Sequence, residues 1–325
     1  MIAIKPYAKI LDTEIGVDVL KKIELVGRTC YKSTENIKEG SAEKFVSNLI
    51  KRGHEAMLEH ASFCFMTDGR TSLNCLDIDD WMEEKYPQYK SFLRYTNDTF
   101  NFISGNVRAW RSFFTTYQSA NKSIPKCFME FILDNPILFP EFQESKFMDI
   151  LPLGLMKPAY VEDLSTKNEI LTHRDVTVRF VVDRGVSHEI VRHRPASFAQ
   201  ESTRYCNYSK DKFGNQLTFI TPEFFEPTSL GYLWWESAMQ CAENAYLSMI
   251  ELGSSPEQAR TVLPNSLKTE IIMTANCQEW KHFFELRACN KTGKAHPQML
   301  EVSRPLLDDF KKSIKWAFDG VDYDG

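Results

Sequence analysis

The sequence predicts an α+β fold, in which a mixed or antiparallel sheet is flanked by helices and carries a largely helical central insertion. Alternating apolar and polar residues predict strands at 61–66, 177–183 and 268–275. Apolar residues at helical spacing predict helices at 234–252 and 277–287, the second with buried aromatic residues. The strands and helices follow no regular β–α–β alternation, which favours the α+β class.

The composition is that of an ordinary globular protein. With 325 residues, 43% hydrophobic and 26% charged, the chain can bury a substantial core. Its net charge of −5 argues against general affinity for nucleic acid or membranes, so any anion site must be a local cluster of cations. The eight cysteines contain no C-x-x-C pair, which argues against a zinc ribbon. Because no signal-peptide pattern or membrane-spanning apolar run is visible, we expect a cytoplasmic protein.

The patterning also divides the chain. Ser41 is predicted to cap a helix that carries an apolar stripe and ends at Gly53. Regular patterns occupy 1–66 and 173–325, which we predict to form the core. Between them, 67–172 is irregular and interrupted by prolines, and we predict an elaboration whose role the sequence does not reveal.

The segment after strand 177–183 carries the strongest chemical signal. Ser187 is predicted to cap a short helix that runs through Arg194 and ends before Pro195. Arginine presents a planar fork of donors that matches phosphate oxygens or the edge of a base. Taken alone, the R-H-R triplet is better explained as a solvated basic helix end, where cations meet the helix dipole favourably. The polar residues of the segment are Arg192, His193, Arg194, Ser202 and Arg204.

The pattern R-H-R-x7-S at 192–202 resembles the signature of the flavin-dependent thymidylate synthases. The resemblance extends over the whole stretch 187–205. Two further stretches, 53–60 and 260–287, are similar to the family in the expected order, and 28–31 is more weakly similar. The fold and activity of that family are therefore expectations for this chain.

The resemblance implies roles for individual positions. Arg192, His193 and Arg194 match the triplet that contacts FAD, with Arg192 also near dUMP. Arg287 matches an arginine that stabilises uracil deprotonated at N3, which makes it the implied catalytic residue. The other implied substrate-binding residues are Glu189, Gln200, Glu201, Ser202, Thr203, Arg204 and Arg260. The other implied flavin-binding residues are His54, Glu59, Gln200, Asn276 and His282.

The same resemblance implies FAD as cofactor, and dUMP, methylenetetrahydrofolate and NADPH or NADH as small-molecule substrates. The sequence contains no G-x-G-x-x-G or P-loop pattern, so arginine side chains and backbone amides would hold the phosphates. A homotetramer with shared active sites is implied, which links flavin binding to assembly. Four positions depart from residues seen in some members of the family: Cys30, Ala56, Gln278 and His282.

Other interpretations of single residues and of the function remain open. Ser202 is a possible nucleophile, although no histidine–acid pair is evident, and we favour a hydrogen bond to the nucleotide. Cys206 lies near arginine, which lowers a thiol pKa, although buried packing is favoured. The stretch 54–60 lacks H-E-x-x-H spacing, and we expect no metal. The alternative function is a non-catalytic nucleotide- or RNA-binding protein, in which aromatic residues near the arginines stack on bases.

Overall fold

A computed structural model describes residues 1–12, 18–67, 93–97, 101–119, 123–148, 157–210 and 214–323. Within them, mainly antiparallel sheets are flanked by helices, so the predicted α+β class is confirmed. The strands are β1 Ile2–Ile4, β2 Tyr7–Ile10, β3 Ser62–Thr67, β4 Leu93–Asn97, β5 Asn101–Asn106, β6 Ile124–Pro125, β7 Phe147–Met148, β8 Lys157–Ala159, β9 Asp175–Asp183, β10 Ser197–Gln200, β11 Thr218–Ile220 and β12 Lys268–Asn276. The α-helices are α1 Val19–Cys30, α2 Ser41–Lys51, α3 Val107–Ser119, α4 Met129–Asp134, α5 Lys167–His173, α6 Arg184–Ile190, α7 Leu230–Glu251, α8 Pro256–Ala259, α9 Cys277–Arg287 and α10 Pro297–Ser313. None of the helices in these described ranges has the length and apolar character needed to span a bilayer.

The central sheet has the strand order β10–β12–β9–β2 and is antiparallel throughout. β9 and β12 pair along their full lengths, from Lys268 opposite Asp183 to Asn276 opposite Asp175. Most residues of both strands are buried, because α9 and α10 contribute to the same apolar core. The indole N–H of Trp280 in α9 donates to a β9 carbonyl at 2.9 Å. This strand pair therefore forms the platform on which α6 and α9 lie.

A second antiparallel sheet has the order β4–β5–β3–β8, and three of its strands come from the predicted elaboration. α3 packs on this sheet through Trp110, Phe113 and Phe114, which are fully buried. The ring of Phe65 in β3 meets Trp110 edge-on, with centroids 5.1 Å apart. Such contacts stabilise an aromatic core beyond the area they bury. The described part of the elaboration therefore contains strands as well as helices.

The predicted start and end of the helix after β9 are both wrong. Asp183 caps α6, because its Oδ1 accepts from the Val186 N–H at 2.8 Å. Ser187 lies inside the helix and donates to a backbone carbonyl one turn earlier. The strand passes directly into the helix, so the last strand residue supplies the cap. α6 ends at Ile190, and the triplet 192–194 consequently lies in the following turn.

The predicted cap of α2 is also displaced by one residue. Gly40 is the N-cap, with a left-handed backbone (φ 72°) that glycine adopts without strain. The Ser41 hydroxyl instead donates to a carboxylate oxygen of Glu24 at 2.8 Å. α9 has the predicted bounds, and the other predicted strands and helices differ at their ends.

Replacement of Asp183 by alanine is expected to destabilise the fold through loss of the α6 cap. Removal of a side-chain N-cap costs about 1 kcal/mol of unfolding free energy. Burial raises the pKa of Asp183, so the acceptor atom should matter more than the charge. We therefore expect Asp183→Asn to retain most of the stability that Asp183→Ala loses, measured by urea unfolding. Equal losses in the two variants would contradict a capping role.

Candidate functional site

The guanidinium of Arg287, the last residue of α9, joins two predicted site residues that follow β9. Its Nη1 donates to Oε2 of Glu189 at 2.7 Å, and its Nε donates to Nε2 of His193 at 3.2 Å. Its Nη2 lies 3.4 Å from the Glu189 carbonyl oxygen. The fold therefore brings Arg287 into contact with Glu189 and His193, which precede it by 98 and 94 residues in the sequence.

The proton on His193 is located by its two hydrogen-bond partners. Because Nε2 accepts from Arg287, Nδ1 is the ring nitrogen left to donate. Nδ1 then donates to Oε1 of Glu279 at 3.3 Å. His193 is buried, whereas Arg287 is half-buried. The cluster thus holds the charged arginine in a fixed orientation beside a buried histidine.

His193, Glu279 and His282 place one ligand atom each within 4.8 Å of one another, a spacing compatible with a metal ion. Both nitrogens of His193 are already engaged, and Arg287 places a positive charge beside the ring. A cation bound there would face that charge directly. We therefore assign no metal to this group.

Three arginines of the predicted site are exposed and form no ion pair with any residue that the structure describes: Arg192, Arg194 and Arg260. Arg192 and Arg194 lie in the turn after α6 and flank the buried His193. Arg194 donates to two backbone carbonyls at 2.7 Å and lies over the ring of Phe198, 5.3 Å from its centroid. Guanidinium donors that no carboxylate occupies are suited to binding phosphate groups.

The end of β10 and the loop after it place the predicted nucleotide-binding residues in different environments. Gln200 is half-buried and donates to a hydroxyl on α6 at 2.9 Å. The backbone N–H of Ser202 donates to the Cys30 carbonyl at 3.0 Å, which ties the loop to the end of α1. Thr203 is buried. Arg204 is exposed and pairs with an exposed glutamate of α8 at 3.2 Å, a contact that contributes little stability.

Glu201 differs from these neighbours because its carboxylate is buried within an ion network. Its Oε2 accepts from Lys268 at 2.9 Å, and its Oε1 accepts from the Tyr208 hydroxyl at 3.1 Å. Lys268 also donates to Glu270 at 3.0 Å, and Lys32 contacts both glutamates. Burial raises the pKa of Glu270, but the two lysines together lower it to about 2. Burial likewise lowers the pKa of Lys268, but the two glutamates raise it above its ordinary value.

Three members of this network, Lys32, Lys268 and Glu270, were not predicted from the sequence. A signal exists for two of them, because charges at alternate positions of an apolar strand must face the same side. No local sequence pattern indicates Lys32, because its partner Glu270 lies 238 residues away. A cavity of about 330 Å³ opens beside the network, a size that suits a small ligand. Glu201 is the predicted site residue that lines it.

Two predicted flavin positions, Glu59 and Asn276, line a second, polar cavity of about 20 Å³. Asn276 caps α9 through its side chain. Glu59 accepts from the Ser197 hydroxyl at 2.9 Å and from Arg108 at 2.6 Å. His54 is exposed at the start of a short 3-10 helix that contains Glu59. The flavin positions are therefore distributed over several elements of the chain.

The residues behind the alternative interpretations are packed or engaged elsewhere. Cys206 is 1% exposed and belongs to an apolar core with Tyr208. Burial lowers the pKa of His60 to about 3, and its Nδ1 lies 2.8 Å from the Thr274 hydroxyl. The Ser202 hydroxyl accepts from a backbone N–H at 3.3 Å. These contacts support structural roles for Cys206 and His60.

Residues 16–76 and 159–314, about two thirds of the chain, match the family model described as "Thymidylate synthase complementing protein". The chain belongs to this family.

Curated relatives carry the name flavin-dependent thymidylate synthase. The protein from Pyrococcus furiosus is 36% identical over 140 residues, which cover 41% of this chain and 55% of the relative. The protein from Geobacter sulfurreducens is 40% identical over 110 residues, covering 34% and 46%. The chain thus spans about half the length of the curated relatives it matches. Among solved structures, the UMP/dUMP methylase PolB from Streptomyces cacaoi is 20% identical, with a TM-score of 0.37 over 45% of this chain and 72% of PolB.

The ion network around Glu270 is expected to make the free energy of unfolding depend on pH in the acid range. The pKa of Glu270 is lowered from its ordinary 4.5 to about 2. A carboxylate with a lowered pKa stabilises the fold above its ordinary pKa, and this stability is lost as pH falls toward the lowered value. Between roughly pH 5 and pH 2, Glu270→Gln should therefore lose less unfolding free energy than the wild type, by up to about 3 kcal/mol.

Urea unfolding across this pH range measures the difference. Glu257→Gln, which alters an exposed ion pair, is the control and should follow the wild type. A wild-type pH slope in Glu270→Gln would show that the lysines do not stabilise the ionised carboxylate.

Proposed function

We propose that this protein is an FAD-dependent thymidylate synthase that converts dUMP to dTMP. Methylenetetrahydrofolate would donate the carbon, and NADPH or NADH would be the reductant. Membership of the family and the names of the curated relatives support this reaction. The observation that carries the proposal is the set of exposed arginines without carboxylate partners among the described residues, Arg192, Arg194 and Arg260, in a chain of net charge −5.

The donor set of the candidate site fits an anionic cofactor such as FAD. Its phosphates require cations or backbone N–H groups, and the sequence has no glycine-rich phosphate loop. Arg192 and Arg194 supply exposed guanidinium donors. Two buried donors, Arg94 Nε and Asn106 Nδ2, lack a hydrogen-bond partner among the described residues and belong to residues that line the polar cavity. The residues proposed to hold FAD are His54, Glu59, Arg192, His193, Arg194, Gln200, Asn276 and His282.

The proposed nucleotide site combines exposed cations with the loop that follows β10. Arg204 forms an exposed ion pair with Glu257, which lies three residues before Arg260, and a bound phosphate would compete with that carboxylate for the guanidinium. Glu201 would support the loop from its buried side, because its carboxylate accepts a hydrogen bond from Lys268. The residues proposed to bind dUMP are Glu189, Arg192, Gln200, Glu201, Ser202, Thr203, Arg204, Arg260 and Arg287.

Arg287 is the proposed catalytic residue. Its hydrogen bonds to Glu189 and His193 fix its orientation before substrate binds. A fixed cation stabilises charge that develops in a reaction without the cost of reorganising solvent. Arg287 would therefore stabilise a uracil ring deprotonated at N3.

FAD, when bound, would supply the electron pair that reduces the transferred carbon to a methyl group. In the balanced reaction, dUMP, methylenetetrahydrofolate, NADPH and one proton give dTMP, tetrahydrofolate and NADP⁺. The chain's own contribution would be to orient the ligands and to hold Arg287 and its partners in place.

A homotetramer with shared sites is part of the proposal. α7 carries large apolar side chains that are exposed in the single chain, with Trp234 and Leu230 each 75% and Leu233 49% exposed. Exposed apolar patches commonly mark protein contacts. If neighbouring subunits complete each FAD site, assembly and FAD binding must be linked.

The visible absorption spectrum of the purified protein, before and after NADPH and dUMP are added, tests the proposed function. An oxidised flavin spectrum that bleaches, with formation of dTMP and tetrahydrofolate, supports it. Stoichiometric dihydrofolate would exclude this route. A colourless protein that takes up no FAD and binds polynucleotide in a salt-dependent manner would support the non-catalytic nucleotide- or RNA-binding alternative.

Arg287→Gln is expected to slow dTMP formation by about 10²–10³-fold, the usual loss when one charge-stabilising donor is removed. Turnover should be measured at equal flavin content in both proteins. Lys291→Gln is the matched control, because Lys291 follows the same helix and pairs with Glu285 in an exposed position. Wild-type turnover in Arg287→Gln would remove Arg287 from the catalytic role.

Trp234→Glu is expected to dissociate the assembly and release FAD together. A buried carboxylate would be unpaired in an apolar interface, whereas it is solvated on a separate subunit. Sedimentation velocity with detection at the flavin absorption band measures both properties. Trp316→Glu, which alters an exposed tryptophan of another element, is the control. A stable monomer that retains flavin would contradict shared sites.

A further inference from the structure

The pairing of β3 with β5 brings the central elaboration against Glu59. These strands are antiparallel and end with Ser62 opposite Asn106. Residues before Ser62 and after Asn106 therefore leave the sheet at the same end. The Asn106 Oδ1 accepts from the Ala109 N–H at 2.8 Å, so α3 begins at this point. Arg108, in the first turn of α3, consequently lies beside Glu59.

Both carboxylate oxygens of Glu59 are engaged. Oε1 accepts from Nη1 of Arg108 at 2.6 Å, and Oε2 accepts from the Ser197 hydroxyl at 2.9 Å. The Glu59 side chain is only 17% exposed and that of Arg108 is 31% exposed. A carboxylate withdrawn from water needs such partners, and without the cation it would turn toward solvent. Ser197 begins β10, the strand that leads into the proposed nucleotide loop.

A second ion pair fixes the same elaboration to the central sheet. Arg94 of β4 donates to both carboxylate oxygens of Asp175, at 2.5 and 2.7 Å. Burial alone would raise the pKa of Asp175, but its pairing with Arg94 lowers it. Asp175 begins β9, and the bidentate contact restricts rotation as well as distance. β4 pairs with β5, so the start of α3 is held at a fixed position relative to β9.

Arg94, Asn106 and Arg108 all lie between the two stretches that match the family model. Arg94 and Asn106 nevertheless line the polar cavity together with Glu59 and Asn276, both proposed flavin positions. We propose that the central elaboration is a structural part of the flavin site, and that Arg108 is a positioning residue that keeps the Glu59 carboxylate in the orientation used for FAD binding. The identity of the ligand as FAD rests on the proposed function, whereas the contacts of Glu59 with Arg108 and Ser197 do not depend on it.

FAD titration of full-length Arg108→Met, Arg108→Lys and Lys311→Met tests this role. Lys311 is the matched control, a cation of similar exposure (29%) that pairs with Asp322 at 2.6 Å. The Kd for FAD should rise about tenfold in Arg108→Met, as expected for loss of one charged hydrogen bond. Arg108→Lys should recover most of the affinity because it keeps the cation, and Lys311→Met should bind like the wild type. An unchanged Kd in a folded Arg108→Met would overturn the proposal.

The crystal structure of flavin-free Arg108→Met separates this inference from the proposed function. We expect the Glu59 carboxylate to leave hydrogen-bond distance of Ser197. If the wild type binds no FAD, the proposed function fails, and this structure alone decides the positioning role. A displaced carboxylate then supports it, and an intact Glu59–Ser197 hydrogen bond overturns it. If Arg108→Met does not fold, Arg108→Gln, which keeps a neutral donor, is subjected to the same two measurements.

Discussion

The pairing of β9 with β12 is the constraint on which the candidate site depends. Because the strands are antiparallel, α6 and α9 begin at opposite ends of the pair, about 30 Å apart for nine residues. The seven residues of α6 and the eleven of α9 extend toward each other by about 10 and 16 Å. Both helices pack into the same core. Their C-terminal ends therefore meet, which explains why Glu189 and His193 contact Arg287.

The meeting of two helix C-termini has an electrostatic consequence. A helix C-terminus carries partial negative charge, so it attracts cations and opposes phosphate. A glycine-rich loop works in the reverse way, because it presents phosphate to a helix N-terminus. An anion site at this point would therefore have to rely on side-chain cations, and Arg192 and Arg194 follow α6 whereas Arg287 ends α9. The R-H-R triplet and the lack of a glycine-rich loop are thus two aspects of one geometry.

Local patterns in the sequence predicted the strands and helices better than they predicted which residues contact each other in the fold. The bounds of α9 and the class of the central strands follow from apolar periodicity alone. The caps were misplaced because Asp183 and Ser187 are both acceptable cap residues, and the abrupt end of β9 selects the first. Long-range contacts gave no such signal. Arg108 and Glu59 are 49 residues apart, and Lys32 and Glu270 are 238 apart, so only the folded sheet register brings them together.

The buried ion network shows how that register is fixed at the nucleotide loop. Pairing continues one residue beyond β10, where the Glu201 N–H donates to the Glu270 carbonyl at 2.8 Å. Two glutamates consequently lie opposite each other, an arrangement that is destabilising unless cations offset it. Lys268 and Lys32 supply those cations.

A one-residue slip of β10 would turn every side chain to the other face, placing Gln200 among the lysines and Glu201 toward α6. Buried ion pairs add little net stability, but the unpaired alternative is strongly unfavourable. The network therefore selects one register over its neighbours. In that register Gln200 contacts α6, and the loop that carries Ser202 and Arg204 leaves the sheet at a single defined point.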